Sequence, residues 1–323
     1  MVLVTGATGF LGSELVRQLL LNGEKVRALK RDSSVIPHIL KNDERIEWVN
    51  ADLLDYYSLE DAIGGITKVY HCAAMISFLQ KEKKQMMKIN VEGTINLLNV
   101  CIAAHVQKFL HVSSVAAVGD SKKGELINED HHWEFESGQS SYSVSKYESE
   151  MEVFRASAEG LNAVIVNPSI IIGINAGSEG SGQLFETIKN GLSYYPDGSF
   201  GYVDVQDVAS AMIDLMNSDI SNQRFIISAE NWTYRDVFTE IATQFGQKPP
   251  KIALKPWMMN LARYGKSILS YLTGKNNNFS RDTVRSAFKK QNYSNEKIKE
   301  ALNLEFRSVK ESIAEICKNY YTN

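Results

Sequence analysis

The segment 142–146 reads Tyr-Ser-Val-Ser-Lys and places a phenol and an ammonium group four residues apart. On a helix, this spacing puts both side chains on one face, one turn from each other. A phenol titrates at about pH 10, and a neighbouring ammonium favours the phenolate. The pair therefore predicts acid–base chemistry, with Tyr142 as the proton carrier and Lys146 as its partner.

The spacing by itself is weak evidence, because the segments 271–275 and 293–297 repeat it. The first contains a glycine and runs into three asparagines, and the second follows no predicted strand of a sheet. Tyr142, by contrast, lies between two predicted strands. We therefore interpret Tyr142 and Lys146 as the catalytic pair.

Two serines, Ser113 and Ser114, stand at the end of the predicted strand 109–113. A hydroxyl at the carboxyl end of a parallel strand points into the crevice where such sheets bind ligands. One of the two would polarise a carbonyl oxygen of the substrate. The residues alone also allow both hydroxyls to cap the strand end.

Three glycines separate the predicted strand 2–5 from a helix with an apolar stripe. Gly6 would make a tight turn, Gly9 would let pyrophosphate approach the backbone, and Gly12 would permit close packing of helix on strand. The start of the helix offers free N–H groups and a positive dipole to an anion. The residues expected at the phosphates of a dinucleotide are Gly6, Thr8, Gly9, Phe10, Leu11 and Gly12.

Lys30 and Arg31 directly follow the second predicted strand, 26–29. A carboxylate at this position usually binds the adenosine ribose of NAD, whereas a cation accommodates the 2′-phosphate of NADP. We expect NADP(H), with NAD(H) as the less favoured cofactor, although solvated surface cations would read the same way. Asp52 follows the third predicted strand and would cap the next turn.

β-branched runs alternate with segments of helical period through the first half of the chain, which predicts βαβ units and a parallel sheet. Further strands are expected at 46–49, 68–72, 163–166 and 225–227, and helices near 58–63, 83–104 and 141–159. The fold class is α/β, a Rossmann-type doubly wound parallel sheet with a smaller, mostly helical C-terminal lobe. We assign residues 1–168 to the dinucleotide-binding domain, joined by a returning strand near 224–228, and residues 169–323 to the substrate lobe.

The composition, 44% hydrophobic and 23% charged with a net charge of −3, is typical of a globular protein and shows no broad basic face. We therefore expect no nucleic-acid partner. The three cysteines are far apart and have no metal-ligand spacing, so neither a metal nor a disulfide framework is predicted. Without a secretory pattern or a long apolar run, we expect a cytoplasmic protein with no membrane span.

The order of these motifs resembles the extended short-chain dehydrogenase/reductase superfamily, which includes the NAD-dependent epimerase/dehydratase family. The pattern is closest to its subgroup of dihydroflavonol reductases and 3β-hydroxysteroid dehydrogenases. The matching segments are Thr5 to Gly12, Asp52-Leu53, 71–74 (His-Cys-Ala-Ala), 90–94 (Asn-Val-Glu-Gly-Thr), Ser113-Ser114, Tyr142 to Lys146, 167–169 (Asn-Pro-Ser) and 203–205 (Val-Asp-Val).

The resemblance implies an oxidoreductase that transfers a hydride between a nicotinamide and a carbonyl or secondary alcohol. It favours Ser114 as the serine that polarises the carbonyl and places Ser113 beside the nicotinamide. It places Asp52 and Leu53 at the adenine edge of the cofactor. The further cofactor contacts that it implies are Ala73, Ala74, Asn90, Pro168 and Ser169. It also implies a homodimer formed by the helices at 83–104 and 141–159.

The stretch 198–204 lacks the arginine with which nucleotide-sugar enzymes of this superfamily contact the substrate diphosphate. A small, weakly charged substrate is therefore expected. Two alternatives remain open: a nucleotide-sugar epimerase or dehydratase with tightly bound NAD, and a non-catalytic protein that senses NAD(P). The second would ordinarily have lost one of the residues Ser114, Tyr142 and Lys146, and all three are present.

Overall fold

The structure is a computed structural model and describes residues 1–121, 124–135, 139–177, 180–255, 257–258 and 287–320. The alternative Tyr–Lys segment at 271–275 lies outside the described residues.

The strands of the described chain are β1 (Val2–Thr5), β2 (Val26–Lys30), β3 (Ile46–Asn50), β4 (Lys68–His71), β5 (Lys108–Val112), β6 (Leu126–Ile127), β7 (Ala163–Pro168), β8 (Ile170–Ile172), β9 (Tyr194–Pro196), β10 (Ser199–Asp204), β11 (Gln223–Ile227), β12 (Glu230–Thr233), β13 (Ile252–Leu254) and β14 (Asn292–Tyr293). The helices are α1 (Phe10–Leu21), α2 (Tyr56–Ile63), α3 (Lys83–Met87), α4 (Gly93–Ala103), α5 (Ser141–Ala158), α6 (Ser181–Lys189), α7 (Val205–Asn217), α8 (Tyr234–Gln244), α9 (Glu296–Leu302) and α10 (Val309–Asn319). A π-helical turn, Lys88–Glu92, joins α3 to α4.

Within the described residues, seven parallel strands form the central sheet in the order β3-β2-β1-β4-β5-β7-β11. The predicted strands are confirmed, with ends that differ by one or two residues. The order of the strands reverses between β1 and β4, and a sheet of this kind binds ligands at the carboxyl ends of the strands beside such a reversal. The predicted doubly wound fold is confirmed.

Both faces of the sheet are covered, which explains why strands such as β1 and β7 are apolar and buried along their whole length. On one face, α1 and α7 pack through residues such as Leu15 and Met212. On the other face, α2, α4 and α5 supply Leu59, Leu97 and Val153.

The remaining elements build a smaller layer around a separate apolar cluster. β8, β10 and β12 form a three-stranded sheet, and α6, α8 and α10 pack on it through Phe185, Phe238 and Ile313. The helical character expected for the C-terminal lobe holds for α8, α9 and α10, whereas the described part of the lobe also contains short strands such as β13 and β14. α7 lies beyond residue 168 in the chain but packs against α1 on the central sheet. The domain boundary at residue 168 stays a prediction.

No helix among the described residues combines the length and the apolar character needed to cross a membrane.

The end of β4 is tied to its neighbours by the buried imidazole of His71. Thr94 Oγ1 donates to the carbonyl of Asn90 and accepts from His71 Nε2 at 2.9 Å, so His71 Nδ1 is left to accept from Thr5 Oγ1 at 2.7 Å. Burial lowers the pKa of His71 to about 3 and that of the adjacent His111 well below its usual value. Both imidazoles are therefore neutral in the folded protein at neutral pH.

We expect the free energy of unfolding to fall on acidification between about pH 6.5 and 3, because unfolded histidine takes up a proton that the folded site refuses. Each buried histidine contributes a slope of about 1.4 kcal/mol per pH unit. Denaturant unfolding from pH 7.5 to 4.5 measures this slope, which His71→Asn should reduce. His105→Asn, at an exposed position, is the matched control, and an equal slope in all three proteins would contradict the role of His71.

Candidate active site

At the turn between β1 and α1, the backbone of Gly6 lies in close contact with the backbone of Ala73 and with that of Gly12. Gly6 has φ +67°, and a Cβ on it would lie 2.7 Å from the amide nitrogen of Ala73, which follows β4. A Cβ on Gly12 would lie 2.2 Å from the Gly6 carbonyl oxygen. Gly9 is exposed and stands immediately before the first helical residue, Phe10. The turn therefore presents bare backbone and the start of α1 at the reversal of strand order, as a phosphate-binding turn requires.

The side chains expected at the adenosine end lie at the ends of β2 and β3. Lys30 Nζ donates to Asn50 Oδ1 at 2.6 Å, and the side chain of Arg31 is exposed beside it. The exposed Asp52 accepts from the backbone N–H of Leu54 at 2.9 Å, so this carboxylate does cap the next turn. Leu53 packs so tightly on α4 that a Cβ on Gly93 would lie 2.8 Å from Leu53 Cβ. Lys30, Arg31 and Asp52 thus lie at neighbouring strand ends, where the sequence predicts contacts with the adenosine end of a cofactor.

Tyr142 and Lys146 lie in the first two turns of α5, which begins after Ser140. The Ser140 hydroxyl accepts from the N–H of Ser143 at 3.0 Å and so caps the helix at the site. Lys146 is buried, and its Nζ donates to the carbonyl of Val112 at 2.9 Å, at the end of β5. The helix thereby fixes the ammonium against the strand whose end carries the two serines.

The two serines differ in their surroundings. Ser113 is 3% exposed, and its hydroxyl donates to Glu150 Oε2 at 2.8 Å. Ser114 is half-buried and accepts from the N–H of Ala116 at 3.2 Å. Its hydroxyl acts on the phenol of Tyr142 in the direction that lowers the pKa of that phenol. The arrangement favours Ser114 as the hydroxyl that meets a substrate, because the Ser113 hydroxyl is already engaged inside the protein.

Burial dominates the electrostatics of the pair. It raises the pKa of Tyr142, an effect that the hydrogen bond with Ser114 opposes. The net shift is upward, whereas the spacing to Lys146 predicted a downward shift, because burial is the larger effect. Burial lowers the pKa of Lys146 to about 8, although Cys72 and Glu150 both raise it. At neutral pH, Tyr142 is therefore a phenol and Lys146 is charged, which suits proton donation.

Asn90 occupies the π-helical turn and is 2% exposed. Its amide donates to the carbonyl of Met75 at 2.9 Å and accepts from the N–H of Met75 at 2.7 Å. It also donates to the Ser145 hydroxyl on α5 at 3.0 Å. The amide therefore holds the segment after β4 against the catalytic helix, and its assignment to the cofactor stays a prediction.

The segment held in this way is apolar at its surface. Ile76 is 66% exposed and Phe78 is 45% exposed, and the Phe78 ring lies 6.0 Å from the Tyr142 ring, edge to face. One side of the Tyr142 ring is thus flanked by the hydrocarbon of Phe78.

The other assigned residues also lie at the carboxyl edge. The N–H of Ala73 donates to Thr5 Oγ1 at 3.1 Å, and Ala74 follows it on the surface. Pro168 ends β7, and Ser169, 7% exposed, donates its N–H to the carbonyl of Ile227 at 3.0 Å. The structure therefore brings the predicted site residues together along one edge of the sheet.

The second alternative segment does not form a helical pair. Tyr293 is buried in β14, and Lys297 in α9 donates to the carbonyl of Arg224. The choice of Tyr142 by its sequence context is consistent with this geometry.

Sequence reasoning missed three residues that contact the site: Glu150, Asn167 and Arg224. Glu150 was detectable, because Tyr142, Lys146 and Glu150 are spaced by four residues and therefore share a helix face. Asn167 stood within a matched segment without an assigned role. For Arg224, no sequence signal was available, since its contacts span β11, α5 and the loop before α5.

Residues 2–228 match the NAD dependent epimerase/dehydratase family. Among curated proteins, the sterol demethylase protein B of Methylococcus capsulatus is 32% identical over 263 residues, which cover 80% of this chain and 78% of that protein. A putative dihydroflavonol 4-reductase of Synechocystis is 31% identical over 320 residues, 97% of this chain and 92% of that one.

Two solved structures extend the likeness to the whole chain. The crystal structure of gox2253 has a TM-score of 0.85 at 29% identity and covers 100% of this chain and 98% of its own. The UDP-glucose 4-epimerase of Thermus thermophilus, in complex with NAD, has a TM-score of 0.78 at 21% identity and covers 99% and 98%, which is a likeness of fold. The matched sequence, the glycine turn and the fold agree, and the chain belongs to the NAD-dependent epimerase/dehydratase family.

Proposed function

We propose that this protein is an NADPH-dependent reductase of a weakly charged aldehyde or ketone, working through Ser114, Tyr142 and Lys146. The observation that carries the proposal is the buried ammonium of Lys146, which donates to the carbonyl of Val112 at 2.9 Å. This contact places Tyr142, one helical turn away on α5, at the end of β5 that leads into Ser114, on the edge of the sheet that bears the glycine turn. Relatives named as dihydroflavonol, cinnamoyl-CoA and anthocyanidin reductases support the reductive direction.

The residues present fit a dinucleotide. Gly6 and Gly12 pack backbone against backbone, and the exposed Gly9 leaves the start of α1 bare for a phosphate. The exposed Arg31 and the half-buried Lys30 lie at the end of β2, where a 2′-phosphate would need cations. NADPH, when bound, supplies the hydride that reduces the carbonyl carbon.

The chain supplies the proton and the polarisation. Ser114 donates a hydrogen bond to the carbonyl oxygen, and the phenol of Tyr142 transfers its proton to that oxygen as negative charge develops there. The ammonium of Lys146 stabilises the phenolate that remains. Phe78 and Ile76 flank the site with apolar surface, which supports a substrate without a diphosphate.

Replacing Tyr142 by Phe removes the proton donor and keeps the ring. We expect kcat to fall by at least about 100-fold, with the Kd for NADPH unchanged. The assay follows NADPH consumption with a panel of aryl and alkyl aldehydes and ketones. Tyr147→Phe, on the same helix in the stack with Trp133, is the control. Unchanged turnover in Tyr142→Phe would falsify the mechanism.

Replacing Arg31 by Ala removes an exposed cation from the end of β2. We expect the affinity for NADPH to drop about tenfold or more, since about 1.4 kcal/mol of charge pairing is lost, while NADH binding changes little. Calorimetric titration with both cofactors measures this, with the exposed Lys25→Ala before β2 as the control. Equal losses for both cofactors contradict the preference for NADPH, and tight retention of NAD by the purified protein would favour an epimerase instead.

The pH dependence of reduction follows from Lys146. Its pKa of about 8 means that the ammonium is present below this value and is lost as the pH rises through it. We therefore expect kcat for reduction to decline above pH 8 at saturating substrate and cofactor. A kcat profile from pH 6 to 10 tests this, and a flat profile to pH 10 excludes a titrating Lys146. Lys146→Met should lower kcat throughout and abolish the decline.

A further inference from the structure

Glu150 is a carboxylate with no exposed surface, one helical turn beyond Lys146 on α5. Its Oε2 accepts from the Ser113 hydroxyl at 2.8 Å and from Asn167 Nδ2 at 2.9 Å, and its Oε1 accepts from the Arg224 guanidinium at 3.1 Å. The three donors belong to the ends or edges of β5, β7 and β11. One carboxylate therefore ties three neighbouring strands to the catalytic helix.

The network continues on both sides of Glu150. Asn167 Nδ2 also donates to the carbonyl of Ser114 at 3.0 Å, so the backbone of that serine is held through Asn167. Arg224 donates further to the carbonyls of Glu129 and His131 at 2.6 Å and 2.9 Å, which anchors the guanidinium. A buried charge is tolerated when it is paired and its hydrogen bonds are satisfied, and both conditions are met here.

We propose that Glu150 is a positioning residue of the active site, which keeps the Ser113 hydroxyl engaged and holds Ser114, through Asn167, as the serine presented to the substrate. The proposal rests on the proposed reductase function. It adds a role for a residue that touches neither the substrate carbonyl nor the cofactor phosphates.

Glu150 also acts on Lys146 by charge. The titratable groups around Lys146 are Cys72 and His71 at the end of β4, His111 in β5, and Tyr142 and Glu150 on its own helix. Burial raises the pKa of Cys72 to about 12 and keeps both histidines neutral. Glu150, which is ion-paired with Arg224, places a carboxylate one helical turn from Lys146 and favours its protonated form.

Two substitutions separate charge from position. Glu150→Gln keeps the shape and removes the charge; we expect kcat to fall about tenfold and the alkaline decline of kcat to move about one pH unit lower. Glu150→Asp keeps the charge and withdraws it by one methylene; we expect a lower kcat with the decline near its original pH. The Kd for NADPH should change less than twofold in both, because the phosphate turn is untouched.

Two controls address stability and helix charge. Lys108 is buried at the opposite end of β5, where its ammonium donates to the carbonyls of Leu215 and Ser218. Lys108→Met should lower the melting temperature without moving the pH profile. Glu152→Gln removes a partly exposed carboxylate from the same helix and should change neither.

A readout without turnover keeps this inference separate from the proposed function. NMR titration of 13C-labelled lysine, with Lys146→Arg for assignment, follows the ammonium directly, and Glu150→Gln should lower its pKa by about one unit. If the wild-type protein reduces no carbonyl compound, the proposed function fails while this titration still decides the effect of Glu150. If folded Glu150→Gln and Glu150→Asp keep the wild-type kcat and the Lys146 titration is unmoved, Glu150 is a structural residue and the inference is wrong.

Discussion

The close approach of the turn after β1 to the end of β4 is the constraint on which the rest of this structure depends. A Cβ on Gly6 would lie 2.7 Å from the Ala73 nitrogen, so the turn has no room for a side chain at this position. Thr5 strengthens the junction, because its hydroxyl donates to His71 and accepts from the N–H of Ala73. With the two strand ends joined in this way, the start of α1 faces the crevice at the reversal of strand order, where an anion gains from its free N–H groups and its dipole.

The catalytic side of the crevice depends on burial of charge. An ammonium removed from water is costly unless it is paired, and Lys146 meets this condition through the Val112 carbonyl and the nearby Glu150 carboxylate. The same burial favours the neutral phenol of Tyr142. The two effects leave a protonated acid beside a cation, a combination that suits proton transfer to a developing oxyanion.

Membership of the family does not by itself decide which reaction this chain catalyses. The fold is shared with a sugar-nucleotide epimerase at 21% identity, and a fold of this kind hosts many reactions. The proposed weakly charged substrate depends on two features of this chain. Phe78 lies beside Tyr142, with the exposed Ile76 in the same segment, and the stretch 198–204 carries no arginine.

The order of strands and helices, the glycine turn and the spacing of Tyr142 and Lys146 could be predicted from the sequence, because each depends on periodicity or on residue types a few positions apart. The sequence also limited the polarising serine to Ser113 or Ser114. The tertiary structure decided what depends on contacts between distant segments: that the Ser113 hydroxyl is engaged by Glu150, that Asn90 holds Met75, and that α7 packs on α1. It also reversed the expected direction of the Tyr142 pKa shift, since burial follows from packing, which local spacing does not encode.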